Sequence, residues 1–100
     1  MKIKYSPSVA HDGRTLTYFF TGETIVATYN GVNDLFDFSD MPDGELAINY
    51  STGDLDVETI LEVNPIVSAK RVDGVLYIEL LKFIPRDATE DERFPDWIEV

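Results

Sequence analysis

The chain has 100 residues, of which 44% are hydrophobic, and this is enough apolar material for the core of one globular domain. The formal net charge is −11 at pH 7, and such an acidic protein repels phosphate backbones and anionic membrane surfaces. The sequence contains no cysteine, which excludes disulfides, thiolate nucleophiles and cysteine-ligated zinc.

The charge is unevenly distributed, because no lysine or arginine lies between Arg14 and Lys70. That stretch contains ten acids, namely Glu23, Asp34, Asp37, Asp40, Asp43, Glu45, Asp54, Asp56, Glu58 and Glu62. One interpretation is that the acids keep the protein soluble and protect strand edges. The alternative is that they form a surface that meets a basic partner or imitates DNA.

The first third of the chain predicts strands that alternate with period two. Residues 2–5 form a short first strand, and Pro7 and Asp12-Gly13 mark a loop and a turn. Residues 14–20 form the next strand. Its Leu16, Tyr18 and Phe20 share one face, and Phe19 lies on the other face, which we expect to be partly covered as well.

Residues 24–29 are rich in β-branched side chains and predict the return strand. Asn30-Gly31 then predicts a tight type I′ hairpin, because both turn positions need positive φ. The strand that follows, residues 32–38, carries Phe36 and Phe38 on one face.

The middle of the chain is harder to assign. Pro42 and Asp43-Gly44 take the chain out of the sheet, and residues 45–63 are compatible with strand or helix. Within them, residues 57–63 alternate, which favours a strand with Val57, Thr59, Leu61 and Val63 facing inward. Pro65 and the β-branched residues argue against a helix there.

The second strong hairpin signal is Asp73-Gly74, which joins a strand over residues 65–72 to one over residues 75–84. Both faces of residues 75–84 are largely apolar, which is typical of a central strand that is covered on both sides. Pro85 ends it. Thr89 and Glu92 have the spacing of a capping box and predict one or two helical turns near residues 88–93.

The fold class expected from these patterns is mainly β, in a single domain over residues 1–100. The strands, about six to eight in number, would form an antiparallel, hairpin-rich sheet or a small barrel or sandwich. Residues 97–100 either add a last edge strand or pack back as a tail.

No catalytic, cofactor-binding or metal-binding residues are predicted. His11 is the only histidine and lies in a polar loop, and no serine has a nucleophile-elbow context. Residues 54–58 resemble a calcium loop, but they lack its central glycine and distal glutamate. A small hydrolase is therefore a minor alternative.

The aromatic C-terminal region is the predicted partner contact, and it consists of Arg93, Phe94, Pro95 and Trp97. Large aromatic residues anchor protein interfaces, but a tryptophan is usually mostly buried, so a place in the core is the favoured interpretation and the partner contact the alternative.

Three blocks together resemble a known group of proteins. They are Phe36–Ser39 with Met41–Gly44, then Pro65–Leu81 with Arg71–Leu76 at its centre, then Ala88–Pro95. In order and composition they resemble small uncharacterised proteins that are encoded among the tail genes of tailed phages and prophages. The resemblance implies a non-enzymatic protein in the host bacterial cytoplasm or on the virion, which binds another phage protein during tail assembly.

Overall fold

The computed structural model describes residues 1–10, 13–45, 59–93 and 95–100, and it is mainly β, as predicted. Two sheets are present. Three strands form the smaller sheet in the order β2-β3-β4, and they are β2 (Leu16–Thr21), β3 (Thr24–Tyr29) and β4 (Val32–Asp37). The larger sheet is formed by β1 (Lys2–Val9), β5 (Gly44–Glu45), β6 (Ile66–Val72), β7 (Val75–Ile84) and β8 (Ile98–Glu99).

The strand order in the larger sheet is β5-β6-β7-β1-β8. A single helical turn, α1 (Glu90–Arg93), lies between β7 and β8. Within the described ranges, no helix is long and apolar enough to cross a membrane.

The two sheets share one core, to which alternate residues of the strands contribute. Ile25, Ile78 and Leu80 have no exposed surface at all. The buried side chains of the cluster are Ile3, Leu16, Ile25, Ala27, Tyr29, Phe36, Phe38, Leu61, Ile66, Ala69, Leu76, Ile78 and Leu80. The sheets therefore form a sandwich, one of the predicted architectures, and each sheet keeps an outer face.

Both predicted hairpins are confirmed. Asn30 and Gly31 have φ angles of 48° and 85°, and they join β3 to β4. Asp73 and Gly74 have φ angles of 50° and 81°, and they join β6 to β7. Positive φ at both turn positions is the type I′ geometry, whose twist matches that of the paired strands.

We expect Gly74→Val to lower the free energy of unfolding by about 1–3 kcal/mol, because a β-branched residue is strained at positive φ. Nothing lies within 4 Å of the place where a Cβ atom would stand, so the loss reports backbone strain and not a clash. Urea unfolding of Gly74→Asn provides the control, since asparagine tolerates this region. Equal losses for the two variants would contradict the assignment.

Strand β7 is the central strand of the larger sheet, as predicted, with β6 on one side and β1 on the other. Its pairing with β1 is parallel over the full length of β1, from Lys2↔Tyr77 to Val9↔Ile84. Among the described strands this is the one parallel pair, and all the other pairs are antiparallel, so the sheets are antiparallel-rich as predicted. Hairpins produce only antiparallel neighbours, whereas β1 and β7 lie at opposite ends of the sequence and are brought together by the core.

The first strand is longer than the predicted residues 2–5, because it runs to Val9 and includes Pro7. Strand β8 pairs with β1 only at Lys2 and Ile3, so the outer edge of β1 beyond Ile3 has no strand partner among the described residues. An edge position tolerates a proline, which cannot donate a ladder hydrogen bond.

The predicted strand over residues 57–63 is wrong for its described part, since residue 59 has no regular structure and residues 60–63 form bends. A side chain of β4 explains this local structure. Asp34 Oδ2 accepts hydrogen bonds from Thr59 Oγ1 at 2.8 Å and from the backbone N–H of Ile60 at 3.1 Å. These bonds take the place of a strand partner, and Leu61 still enters the core as predicted.

Two predictions about how far side chains are buried also need correction. Phe19 was expected to be partly covered, but it is 66% exposed, and no element formed by the described residues packs on the outer face of β2–β4. Strand β7 was expected to be covered on both sides. Its inner residues are buried, whereas Tyr77, Glu79 and Leu81 on the other face are only half-buried.

Candidate functional site

Arg93, Pro95 and Trp97 are the described members of the predicted contact, and none of the three belongs to the buried core cluster. Phe94 is outside the described residues. Arg93 is exposed, and its guanidinium donates to the carbonyl oxygen of Ala88 at 3.1 Å and to that of Arg86, which ties it to the chain around α1. Pro95 and Trp97 are half-buried. Of this set, Trp97 has the contacts that define a surface site.

Trp97 packs on the outer face of the five-stranded sheet. Its ring meets the ring of Tyr77 edge-on, with centroids 5.4 Å apart and an interplanar angle of 89°. The Lys4 ammonium lies 5.9 Å from the centroid of the Trp97 ring. Lys70 Nζ lies 5.7 Å from the centroid of Tyr77. Edge-to-face rings and cations over rings are both favourable arrangements, so the two aromatic side chains are held in place while half-exposed.

We call this surface the aromatic–lysine face, and its residues are Lys2, Lys4, Lys70, Tyr77 and Trp97. The register of the strands explains how it arises. One row crosses all five strands, and its members in spatial order are Glu45, Lys70, Tyr77, Lys2 and Glu99. Paired residues of neighbouring strands share a face, so an aromatic residue stands at the centre with a lysine and then a glutamate on either side.

The electrostatics of this face differ from those of the whole chain. Lys2 Nζ lies 3.4 Å from a carboxylate oxygen of Glu99, and Lys4 pairs in register with Glu79. Lysines therefore offset the neighbouring acids here, although the chain as a whole has a net charge of −11. A partner approaching this face meets aromatic rings and charges of both signs.

Sequence analysis identified Trp97 but missed Tyr77 and the three lysines. The pairing of Lys70 with Tyr77 could have been predicted from the sequence. A two-residue turn at Asp73-Gly74 fixes the register of the two strands and places these residues opposite each other. The remaining pairs join the two ends of the chain. No local pattern predicts that Lys2 lies beside Tyr77, since that follows from the parallel pairing of β1 and β7.

Several acids of the lysine- and arginine-free stretch act as internal hydrogen-bond acceptors. Arg71 donates to Glu23, which holds the pKa of Glu23 below its usual value. Hydrogen bonds from Ser39 lower the pKa of Asp37 in the same way. Burial raises the pKa of Asp34, but its hydrogen bonds outweigh that effect and the net pKa is lowered.

These placements bear on the alternative of a DNA mimic. Asp34 and Asp37 point to opposite faces of β4, and their carboxylates are engaged within the chain. A mimic of DNA needs carboxylates arranged on one connected surface. Asp34 and Asp37 thus give that alternative no support.

Candidate chemistry in the described residues is sparse. No group of three or more histidines and acids in the ranges above is placed to hold a metal ion. A cleft of about 220 Å³ is lined by Tyr5, Leu16, Thr17, Tyr18 and Lys82. The Tyr18 hydroxyl donates to the carbonyl oxygen of Leu81, and burial raises its pKa, so it remains a protonated donor. His11 and residues 54–58 lie outside the described residues.

The chain matches no protein family model, no curated protein and no solved structure. The class of this protein is therefore defined by its fold and its surface alone. It is a mainly β sandwich in which a half-exposed tryptophan and tyrosine stand among lysines on the outer face of the larger sheet.

Proposed function

We propose that this chain is a non-enzymatic protein-binding protein of a phage or prophage, and that it serves as an accessory in tail assembly. The contact surface is the aromatic–lysine face. The observation that carries the proposal is the position of Trp97, which lies outside the core and edge-on against Tyr77.

The composition of the face supports binding to another protein. Interfaces between proteins are enriched in tyrosine and tryptophan at their centre, and a polar rim surrounds that centre. Here the two aromatic side chains are central, and Lys70 and Lys2 flank Tyr77 in the same cross-strand row. Each lysine that lies over a ring restricts its own side chain and the aromatic side chain. Less conformational entropy is therefore lost when another protein binds to this face.

The phage context rests on the sequence resemblance. The Pro-Asp-Gly turn, the hairpin block centred on Asp73-Gly74 and the block ending at Pro95 occur in the order found among small proteins of phage tail-gene clusters. One of these blocks contributes to the face, because its strands β6 and β7 carry Lys70 and Tyr77. A partner encoded in the same gene cluster is therefore the first to test.

The test is a pull-down of tail proteins from the same gene cluster, followed by calorimetry on any partner found. We expect Trp97→Ala to weaken binding by at least about 2 kcal/mol, or roughly thirty-fold, because a central aromatic anchor is removed. Lys70→Glu should also weaken it, since a charge of the wrong sign then stands beside Tyr77.

Arg86→Glu is the matched control for Lys70→Glu. It makes the same change of charge at an exposed residue beyond the far end of β7, away from Tyr77. We expect this control to bind like the wild type. The proposal fails if no tail protein binds under native conditions, or if binding persists unchanged in folded Trp97→Ala.

A further inference from the structure

Strand β2 has an outer edge with no strand partner among the described residues, because it ends the row β2-β3-β4. The Asn30 N–H donates to the Thr15 carbonyl oxygen at 3.0 Å, which fixes the residues that face β3. Thr15 and every second residue after it point their backbone groups to β3. The N–H and C=O groups of Leu16, Tyr18 and Phe20 therefore point outwards, along about 14 Å of strand at the usual rise.

The other outer strands of the described sheets are protected against further pairing, as edges in natural proteins usually are. Strands β5 and β8 have only two residues each. On β1, beyond its pairing with β8, the same alternation turns Pro7 outwards, and Pro7 has no N–H to donate. On β4, the outward N–H of Leu35 donates to Asp34 Oδ1 at 2.9 Å. Strand β2 has six regularly paired residues without a proline, a charge or a bulge, so its edge is open to another strand.

A cleft of about 220 Å³ lies beside this open edge. Strand β2 lines it with Leu16, Thr17 and Tyr18, and the larger sheet contributes Tyr5 of β1 and Lys82 of β7. The rings of Tyr5 and Tyr18 have centroids 6.2 Å apart, and Lys82 Nζ lies 4.9 Å from the Tyr5 centroid. Paired residues share a face, so a strand added to β2 brings alternate side chains to these rings and to this ammonium group.

The charge of Lys82 selects the chemistry of the occupant. Lys82 forms no ion pair with a described residue, so its ammonium group is available to a carboxylate from outside. A second copy that paired through its own β2 does not supply this carboxylate, because residues 16–21 contain no charged side chain. Two copies with a net charge of −11 also repel one another. The occupant that fits is an extended segment of a different protein, with an acidic side chain on its inner face.

We propose that the outer edge of β2 binds an extended, acidic segment of another protein as an added antiparallel strand. Antiparallel pairing is the more stable arrangement per residue. The partner residues opposite Leu16, Tyr18 and Phe20 form the backbone hydrogen bonds and direct their side chains to the inner face. An acidic side chain opposite Tyr18 pairs with Lys82, and apolar side chains two residues away cover the ring of Tyr5.

This mode of recognition divides the work between the backbone and the cleft. Main-chain hydrogen bonds to an open edge give affinity, and the contacts of alternate side chains give specificity. The β2 edge belongs to the smaller sheet, whereas the aromatic–lysine face is the outer face of the larger one. The proposal therefore stands or falls independently of the function proposed above.

A capped seven-residue peptide is the probe, titrated into the isotope-labelled full chain and followed by amide NMR. Its sequence alternates threonine with valine, glutamate and valine, so the glutamate takes the middle inner position. We expect the amide signals of Leu16, Tyr18 and Phe20 to shift and their hydrogen exchange to slow. The dissociation constant should be about 0.1–1 mM, because seven residues form a small interface. The amide of Phe19, which already bonds to β3, should exchange slowly with and without peptide.

Methylation of the peptide's backbone nitrogens tests the strand pairing. In the antiparallel arrangement, the N–H groups of the valines and the glutamate face β2, whereas those of the threonines face away. Methylation of the first set should abolish binding, because it removes the donors and keeps the side chains. Methylation of the threonines is the matched control and should leave binding unchanged.

Lys82→Glu tests the charge. We expect it to weaken binding of the peptide at least about five-fold, because an attraction becomes a repulsion. Lys70→Glu is the matched control, since Lys70 also lies near a tyrosine ring but on the aromatic–lysine face, and it should bind like the wild type.

Four outcomes overturn the proposal. They are no shift of the β2 amides at about 5 mM peptide, equal binding of the two methylated peptides, equal losses in Lys82→Glu and Lys70→Glu, and a dimer of the full chain through β2 that excludes the peptide.

Discussion

Leu80→Ala is expected to lower the free energy of unfolding by about 2–5 kcal/mol, one of the two largest effects that we predict. Leu80 has no exposed surface, and it lies on the inner face of β7 between Ile66 of β6 and Tyr5 of β1. Truncation removes buried methyl groups and leaves a cavity in the middle of the sheet, where neighbours on both sides limit collapse. Urea unfolding followed by tryptophan fluorescence or circular dichroism measures the loss.

Leu81→Ala is the matched control, since it makes the same chemical change one residue further along, where the side chain packs against the core but is only partly buried. Leu81 is only half-buried, so its loss should be clearly smaller. Equal losses at the two positions, or a near-neutral Leu80→Ala, would contradict the assignment of β7 as the buried central strand.

Arg71→Met is expected to cause a loss of stability second only to that of Leu80→Ala, although Arg71 is a charged residue. Its guanidinium binds both carboxylate oxygens of Glu23, at 2.9 and 3.0 Å. It also donates to the carbonyl oxygens of Met41, Phe38 and Gly74, at 2.7, 2.9 and 3.0 Å. One side chain of β6 thus ties the larger sheet to the β2–β3 turn and to the segment after β4.

The physical reason is that methionine keeps the length of the side chain but supplies no donor. A carboxylate and three carbonyl oxygens then lose their partner, and unmet polar groups in a partly buried site are unfavourable. Arg86→Met, at an exposed position, is the control and should be nearly neutral. Glu23→Gln should have a smaller effect than Arg71→Met, since the three carbonyl contacts remain.

Acid titration gives a second readout for the same contact. The hydrogen bonds from Arg71 lower the pKa of Glu23 in the folded state below its ordinary 4.5. The stability that the contact contributes is therefore fully present above that value, and it is lost as the pH falls through the lower folded-state pKa. We expect the decline below pH 4.5 to be shallower in Arg71→Met than in the wild type. An identical decline would contradict the role assigned to the pair.

Local patterns predicted the elements whose geometry depends on neighbouring residues. The two type I′ turns followed from Asn30-Gly31 and Asp73-Gly74, because only a few residue types tolerate positive φ. Period-two alternation correctly placed Phe36 on the inward face of its strand, and the apolar run over residues 75–84, which contains Leu80, was correctly assigned as a central strand. The bends at residues 60–63 were missed because a side chain from β4, that of Asp34, replaces a strand partner there.

The candidate surfaces were predicted only in part. Trp97 was identified from its residue type, but Tyr77 and the lysines beside it were not. Phe19 was assigned correctly to the face opposite Leu16, yet its 66% exposure depends on whether another layer covers that face. The exposed fraction of a side chain depends on how the sheets pack together, and the sequence of a single strand does not determine it.

By itself, the amino-acid sequence determined that this protein is mainly β, where its tight turns lie and which side of most strands is apolar, because these properties depend on backbone sterics and on residues a few positions apart. Only the tertiary structure decided that β1 pairs in parallel with β7, that Arg71 joins the two sheets and that Trp97 lies on the outer face beside Tyr77. Those contacts join segments far apart in the chain. The packing of the one shared core determines which of these contacts form, because all the strands pair and pack together in it.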